Sequence, residues 1–425
     1  MKVLSGGKVY IEGELRELDI GFSEKIQEIG EGLEGDRLDC SGLVILPGMI
    51  DAHVHFRDFD QAHKETWQTG GQAAAKGGVT TVLEMPNTEP PTTTLEMVER
   101  KRELASKSLV NFGLYGGLTE GNIELIPDLA REVVAFKLYL GETTGGLTVR
   151  DPKAIRAIFK AVAATGKVLA VHAQRGDSDA EARDLAFAID LAARYDVRLH
   201  LAHVTIKAGV LVIEEAKRDV DLTCETCPHY LLFTRQDLAE RGPLLLVNPP
   251  LAEEEDRGLL WEALQEGLID ILASDHAPHT LEEKGSDHPP SGLPGVETTL
   301  PLMLDAVNRG KLSLAQLVRA FVENPARRFG LKGKGRLDLA SDADLVLVDL
   351  ERWGKVVREE LATKCGWSPY EGLELRGWPL LTIVRGEPVY RAPGFALPDD
   401  WADLEGCSRR STPSGSAFDN SFRRG

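Results

Sequence analysis

No run of apolar residues in this chain approaches the roughly 20 needed to span a bilayer. Its first residues, Met1-Lys-Val-Leu-Ser-Gly-Gly-Lys8, also lack the apolar core and cleavage site of a secretion signal. Both absences point to a cytoplasmic protein. Cysteine is scarce: Cys40, Cys224, Cys227, Cys365 and Cys407 are too few and too scattered for a disulfide framework. Cys224 and Cys227 form one C-x-x-C with no second pair, which argues against a structural zinc site. Positive charge is short as well. Lys and Arg number 49 against 67 Asp and Glu, a formal net charge of -18, and so acidic a chain does not suit nucleic acid.

What is present is a globular composition, 42% hydrophobic and 27% charged, in 425 residues: enough for one large domain plus a small one. From Asp51 to about Asn324, short apolar runs alternate with amphipathic ones. The apolar runs are residues 49–55, 79–85, 109–115, 133–140, 167–173, 198–204, 220–227 and 269–275. Helix-like stretches such as 95–108, 151–165, 179–195, 206–218 and 253–267 lie between them. Eight strands separated by helices predict an α/β fold, a (β/α)8 TIM-like barrel over residues 49–335. An open doubly wound sheet is the competing architecture, but no G-x-G-x-x-G follows any strand. Residues 1–48 and 336–392 carry short alternating runs with turn residues, so the two ends are expected to build one small composite β-sheet domain. Residues 406–425, rich in Ser, Arg and Gly, are expected to be disordered.

In a barrel the reactive groups sit at the C-terminal ends of the strands. Those ends hold a marked set of polar residues. The first strand runs into Asp51-Ala-His53-Val-His55-Phe-Arg57. Alternate strand residues share a face, so two imidazoles and a guanidinium point the same way. Two imidazoles so placed can grip one metal ion, and the arginine can hold an anion. Further ends offer Asn87, Lys137, His172, His200 or His203, and Asp275 followed by His276 and His279. Strand parity selects His203, nearer the C-terminal end, and leaves His200 to pack against a helix. It likewise selects Asp275, which continues the series Ile271, Ala273, over His276. Four histidines and one aspartate suffice for two zinc ions if something bridges them. Lys137 is a candidate, because burial beside dications favours a neutral amine, and an amine adds carbon dioxide to give a bridging carbamate. The alternative is a buried lysine paired with a carboxylate. His63 and His288 read as surface-loop residues, and His229 as structural.

These segments resemble the dihydroorotases of the amidohydrolase superfamily, in the form with a carboxylated lysine. The resemblance rests on Asp51–Arg57, Met85-Pro-Asn-Thr88, Phe136-Lys-Leu-Tyr-Leu140, Val171-His-Ala173, Ala202-His-Val204, Pro228-His-Tyr230 and Asn248-Pro-Pro250. It continues through the run from Ala273 to Lys284, Gly292-Leu-Pro-Gly295 and Asn324-Pro-Ala326. It implies that His53, His55 and Asp275 hold one zinc, that His172 and His203 hold a second, and that a carbamate on Lys137 bridges them. It further implies that Arg57, Asn87 and His279 bind a substrate carboxylate, and that Asn248 and the backbone near Gly292 contact the ring. Thr143 and Thr144 would lie on a loop that closes over substrate. The implied reaction is the reversible conversion of dihydroorotate and N-carbamoyl-aspartate, with Asp275 carrying the proton.

Two class alternatives stand beside it. A related cyclic amidase, an allantoinase or a dihydropyrimidinase (hydantoinase), would share the metal ligands and differ at the substrate contacts; Arg57 and Asn87 favour a ring bearing a carboxylate. A non-enzymatic assembly protein would have lost ligands, and all six positions are filled. A homodimer, or a complex with an aspartate carbamoyltransferase, is compatible with the resemblance. Asp58-Phe-Asp60 follows Arg57 where many relatives have Glu-Pro-Gly, which leaves the local loop shape open.

Overall fold

The computed structural model describes residues 1–176, 178–398 and 401; the tail expected to be disordered lies outside them. Eight parallel strands pair in chain order: β1 (Met49–Val54), β2 (Val79–Glu84), β3 (Asn111–Gly117), β4 (Ala135–Tyr139), β5 (Val168–His172), β6 (Leu199–Leu201), β7 (Leu222–Thr226) and β8 (Ile271–Leu272). The ring closes through a bridge between Val54 and His276, where the His55 N–H donates to the His276 carbonyl at 2.8 Å. Each of the eight apolar runs holds one strand. Strands covered on both faces read as continuous apolar segments, which is why the runs were visible at all.

The helices between the strands follow from ordinary end signals. In Pro152–Ala163, Asp151 caps the N-terminus by accepting from the Lys153 N–H at 3.0 Å, and Pro152 supplies the preset first turn. Ile155, Ile158, Phe159 and Val162 then recur at helical spacing and are all buried. Each such side chain stabilises the packing by about 1.5–3 kcal/mol, so Ile158→Asp would break this face.

The terminal segments build two further sheets. One, six-stranded, mixes both ends in the order Glu387–Arg391, Glu374–Val384, Leu345–Lys355, Val44–Pro47, Lys8–Ile11, Glu14–Glu17. The other, four-stranded, is N-terminal: Ile26–Gly30, Asp19–Phe22, Lys2–Ser5, Asp36–Asp39. Gly6, at φ 75°, turns the chain between Lys2–Ser5 and Lys8–Ile11 and so sends adjacent strands into different sheets. A core separate from that of the barrel, including Leu4, Ile20, Phe22, Leu345 and Ile383, lies between them. Among the described residues no helix is long and apolar enough to cross a membrane.

Candidate active site

The C-terminal strand ends bring the expected residues together. His53 and His55 are buried at and just past the end of β1, with ring centroids 5.2 Å apart. The Nε2 atoms of His53 and His55 lie 3.4 and 3.1 Å from the same oxygen, Asp275 Oδ1. These three residues form a group able to hold a metal ion. The opposite nitrogen of each ring is already engaged. His55 Nδ1 meets Asn87 Oδ1 at 2.7 Å, and His53 Nδ1 meets Glu225 Oε1 at 2.5 Å. An oxygen acceptor at Nδ1 puts the proton there and leaves the Nε2 lone pairs facing Asp275.

His203 continues the circle, 5.5 Å from the His53 ring, and its Nε2 lies 2.9 Å from His172 Nδ1. The outer nitrogens, His172 Nε2 and His203 Nδ1, are buried without a hydrogen-bond partner among the described residues. Burial drives His55 and His172 down to about 3 and His203 well below its ordinary value, so all three rings are neutral, the form that ligates metals. Burial pushes the Asp275 carboxyl up, and the attraction of the His53, His55 and His203 imidazoles, when they carry the proton, outweighs that and holds it well below the usual carboxylate range.

Lys137, in the middle of β4, is fully buried, and its Nζ has no hydrogen-bond partner among the described residues. It stands 5.3 Å from the centre of the Tyr139 ring. The carboxylate pairing considered for this lysine is absent among the described residues. Burial instead lowers its pKa to about 8. A buried polar atom left without a partner is rare enough to require a reason.

Arg57 is 3% exposed, adopts a left-handed φ of 60° and donates from Nε to the Pro278 carbonyl at 3.3 Å. No carboxylate among the described residues lies within ion-pair distance of it. Its guanidinium touches His279 Nε2 at 3.2 Å, and that ring accepts from Lys64 Nζ at 3.2 Å and donates to the Ser291 carbonyl at 3.0 Å. The loop after Arg57 is held by the departure noted in the sequence: Asp58 accepts from the Phe59 and Trp67 N–H groups, both at 3.1 Å. Gly292, at φ 129°, runs against Ala277 and His279; a Cβ there would stand 2.5 Å from the Ala277 carbonyl. Asn248 Nδ2 donates to the Glu142 carbonyl at 3.1 Å, and Asn87 Nδ2 to Thr143 Oγ1 at 3.0 Å, so both amides anchor the loop at 141–146. The Thr144 side chain lies outside the described residues.

β6 ends at Leu201 and β8 at Leu272, so strand parity does not reach His203 or Asp275. Both residues instead take left-handed φ, 38° and 44°, which re-aims them at the strand ends. His200 does stack edge-on with Phe329, in the helix Asn324–Phe329, at 5.5 Å, but its Nε2 also donates to Glu225 Oε2 at 3.0 Å. Glu225 thus joins His200 to His53, and sequence reading missed it. Its signal was an acidic residue inside the apolar run 220–227.

Comparison with known proteins gives the family of the chain. Residues 44–389 match the amidohydrolase family model. The chain belongs to the amidohydrolase family. It is 38% identical over 408 residues to a dihydroorotase of Halobacterium salinarum, covering 90% of this chain and 95% of that protein. It is 39% identical over 399 residues to a dihydroorotase of Pyrococcus abyssi, covering 92% and 95%. A solved L-hydantoinase (dihydropyrimidinase) from Arthrobacter aurescens superposes with a TM-score of 0.88 at 33% identity, covering 93% of this chain and 97% of that one.

Proposed function

We propose that this chain is a dihydroorotase, a cyclic amide hydrolase that interconverts dihydroorotate and N-carbamoyl-aspartate at a two-zinc centre. The observation that carries the substrate is Arg57: a buried guanidinium with no carboxylate within ion-pair distance among the described residues, at the rim of a metal-ligand cluster, supports an anionic ring substrate. Relatives at 34–39% identity named dihydroorotase support the same reading.

The donor set fits a pair of divalent ions. His53, His55 and Asp275 would hold one ion, and His172 and His203 the other. A carbamate on Lys137 would bridge them and explain the partnerless Nζ. Bound there, two zincs supply a low-pKa water and polarise an amide carbonyl. The chain's own residues do the rest. Arg57, with His279 and Asn87, holds the substrate carboxylate, and burial keeps water from competing for it. Asn248, the backbone at Gly292 and Thr143 line the ring. Asp275, ionised at neutral pH, takes a proton from the attacking water and delivers it to the leaving nitrogen. In the synthetic direction it removes a proton from the carbamoyl nitrogen.

The superposition on a hydantoinase favours a second reading, a cyclic amidase for rings without the carboxylate. Turnover of dihydroorotate, N-carbamoyl-aspartate, allantoin and dihydrouracil by the purified protein, with bound metal counted, separates the two. Dihydroorotate turnover with about two zincs per chain is expected; turnover of dihydrouracil alone would move the substrate and overturn the proposal.

A further inference from the structure

Beside the imidazole cluster, and sharing Asp275 with it, lie two donors that the proposed reaction does not use. β7 leads into Cys227, and a short helix, Pro228–Leu232, follows at once. Cys227 Sγ, a ring nitrogen of His229 and a carboxylate oxygen of Asp275 lie within 4.8 Å of one another, and all three residues are buried. His229 is 0% exposed, yet neither of its ring nitrogens has a hydrogen-bond partner among the described residues. Its ring packs on that of Tyr230, centroids 4.1 Å apart. A structural histidine at this depth normally satisfies at least one nitrogen. Cys224, the other half of the C-x-x-C, faces elsewhere, with its thiol 3.5 Å from the Leu268 carbonyl. Cys227 is therefore teamed with an imidazole and a carboxylate rather than with a second thiol.

We propose that Cys227 and His229, with the shared Asp275, form a second, overlapping site for one soft divalent cation, and that filling it inhibits the enzyme. Sulfur, nitrogen and oxygen donors in one buried group suit zinc-class ions, and the thiolate biases the choice towards softer ones such as cadmium. On binding, the Cys227 S–H bond breaks, its proton leaves to solvent, and the sulfur lone pair bonds the ion. Asp275 belongs both to this group and to the one with His53 and His55. An ion held by Cys227 and His229 claims the carboxylate that must otherwise carry the proton. Binding follows from the geometry alone; the inhibition rests on the role proposed above for Asp275.

The test is a cadmium titration of the full-length, zinc-loaded protein, read by the ultraviolet charge-transfer absorption of a cadmium thiolate. Histidine and carboxylate ligands give no such band, so cadmium exchanged into the His53–His55 group stays silent. One thiolate-bound cadmium per chain is expected in the wild type. Cys227→Ala should remove the band, Cys224→Ala should keep it, and His229→Phe should weaken binding at least about tenfold. No band in the wild type, or a band of equal strength in Cys227→Ala, overturns the site. Circular dichroism checks the fold, and Cys227→Ser stands in if the alanine variant does not fold. Dihydroorotate turnover should fall with the same midpoint as the band grows, while Cys227→Ala keeps its turnover in cadmium. A band without loss of turnover leaves the site standing and overturns the role given to Asp275.

Discussion

Glu225→Gln tests whether the carboxylate behind His53 sets that ring's ligand nitrogen. Glu225 is fully buried and accepts from two imidazoles at once, His53 Nδ1 at 2.5 Å and His200 Nε2 at 3.0 Å. Burial pushes its pKa up, but His53 and His200 outweigh that and keep it well below the usual carboxylate range, so it is ionised at neutral pH. Glutamine keeps the volume and removes the charge. It offers only one oxygen, so one imidazole N–H must face an NH2 group. If that ring is His53, the proton is driven to Nε2, the atom that faces Asp275 and is needed for the metal.

The loss is one charge-assisted hydrogen bond, about 1.5–3 kcal/mol. That corresponds to a fall in metal affinity of about 10–100-fold, the range found when the partner of a ligating histidine is removed. Competition against a chelator of known affinity reads this directly, with thermal melting of the metal-free protein run alongside. The metal-free variant should melt near the wild type, because the shape is retained. Unchanged metal affinity would refute the claim that Glu225 fixes His53, and an equal loss of stability without metal would reassign Glu225 to folding.

The remaining predictions touch the other groups of the site. Lys137→Ala should abolish turnover, with partial recovery by added short carboxylic acids that supply bridging oxygens; full activity without rescue would remove the carbamate. The lowered pKa of Lys137, about 8, sets a pH window. In metal-free protein its amine is protonated below that pH and neutral above it, so incorporation of labelled carbon dioxide, read by carbon NMR, should rise as pH passes through about 8. The same depressed pKa means that the unfolded chain holds this proton more tightly than the native one, so metal-free stability should rise between about pH 8 and 10.5; a flat melting profile there would contradict the burial argument. Arg57→Met should cost about 2–4 kcal/mol, chiefly as a raised KM for dihydroorotate, and an unchanged KM would remove the carboxylate argument.

Much of this was legible in the sequence for physical reasons. Strands of a parallel barrel are covered on both faces, so each of the eight announced itself as an apolar run. Histidines clustered at the ends of such runs have no packing explanation, and they marked the site. Terminal strand pairing was less legible, since Lys2–Ser5 and Lys8–Ile11 differ little in pattern and only the turn at Gly6 separates their sheets. Glu225 was hidden because a charged residue inside an apolar run acquires meaning only from what faces it. His53 lies 172 positions away in the chain, and no local pattern connects them.

The reasons for His203 and Asp275 were illegible for a further cause. Alternation along a strand predicts direction only while the strand lasts, and β6 and β8 stop two and three residues short of these groups. What aims them is a left-handed residue at each end, and past β1 Arg57 opens a run of three, with Asp58 and Phe59. For a non-glycine residue that conformation costs of order 1–3 kcal/mol and persists only where the surroundings over-determine it. Here the surroundings are hydrogen bonds to neighbouring strand ends: Ala202 N–H to the Val171 carbonyl, Val204 N–H to Glu225 and Ala273 N–H to Thr226. The barrel thus supplies both the strain and the scaffold that sustains it. The left-handed residues His203, Asp275 and Arg57 all stand past the C-terminal ends of their strands, where plain alternation no longer sets the direction of a side chain.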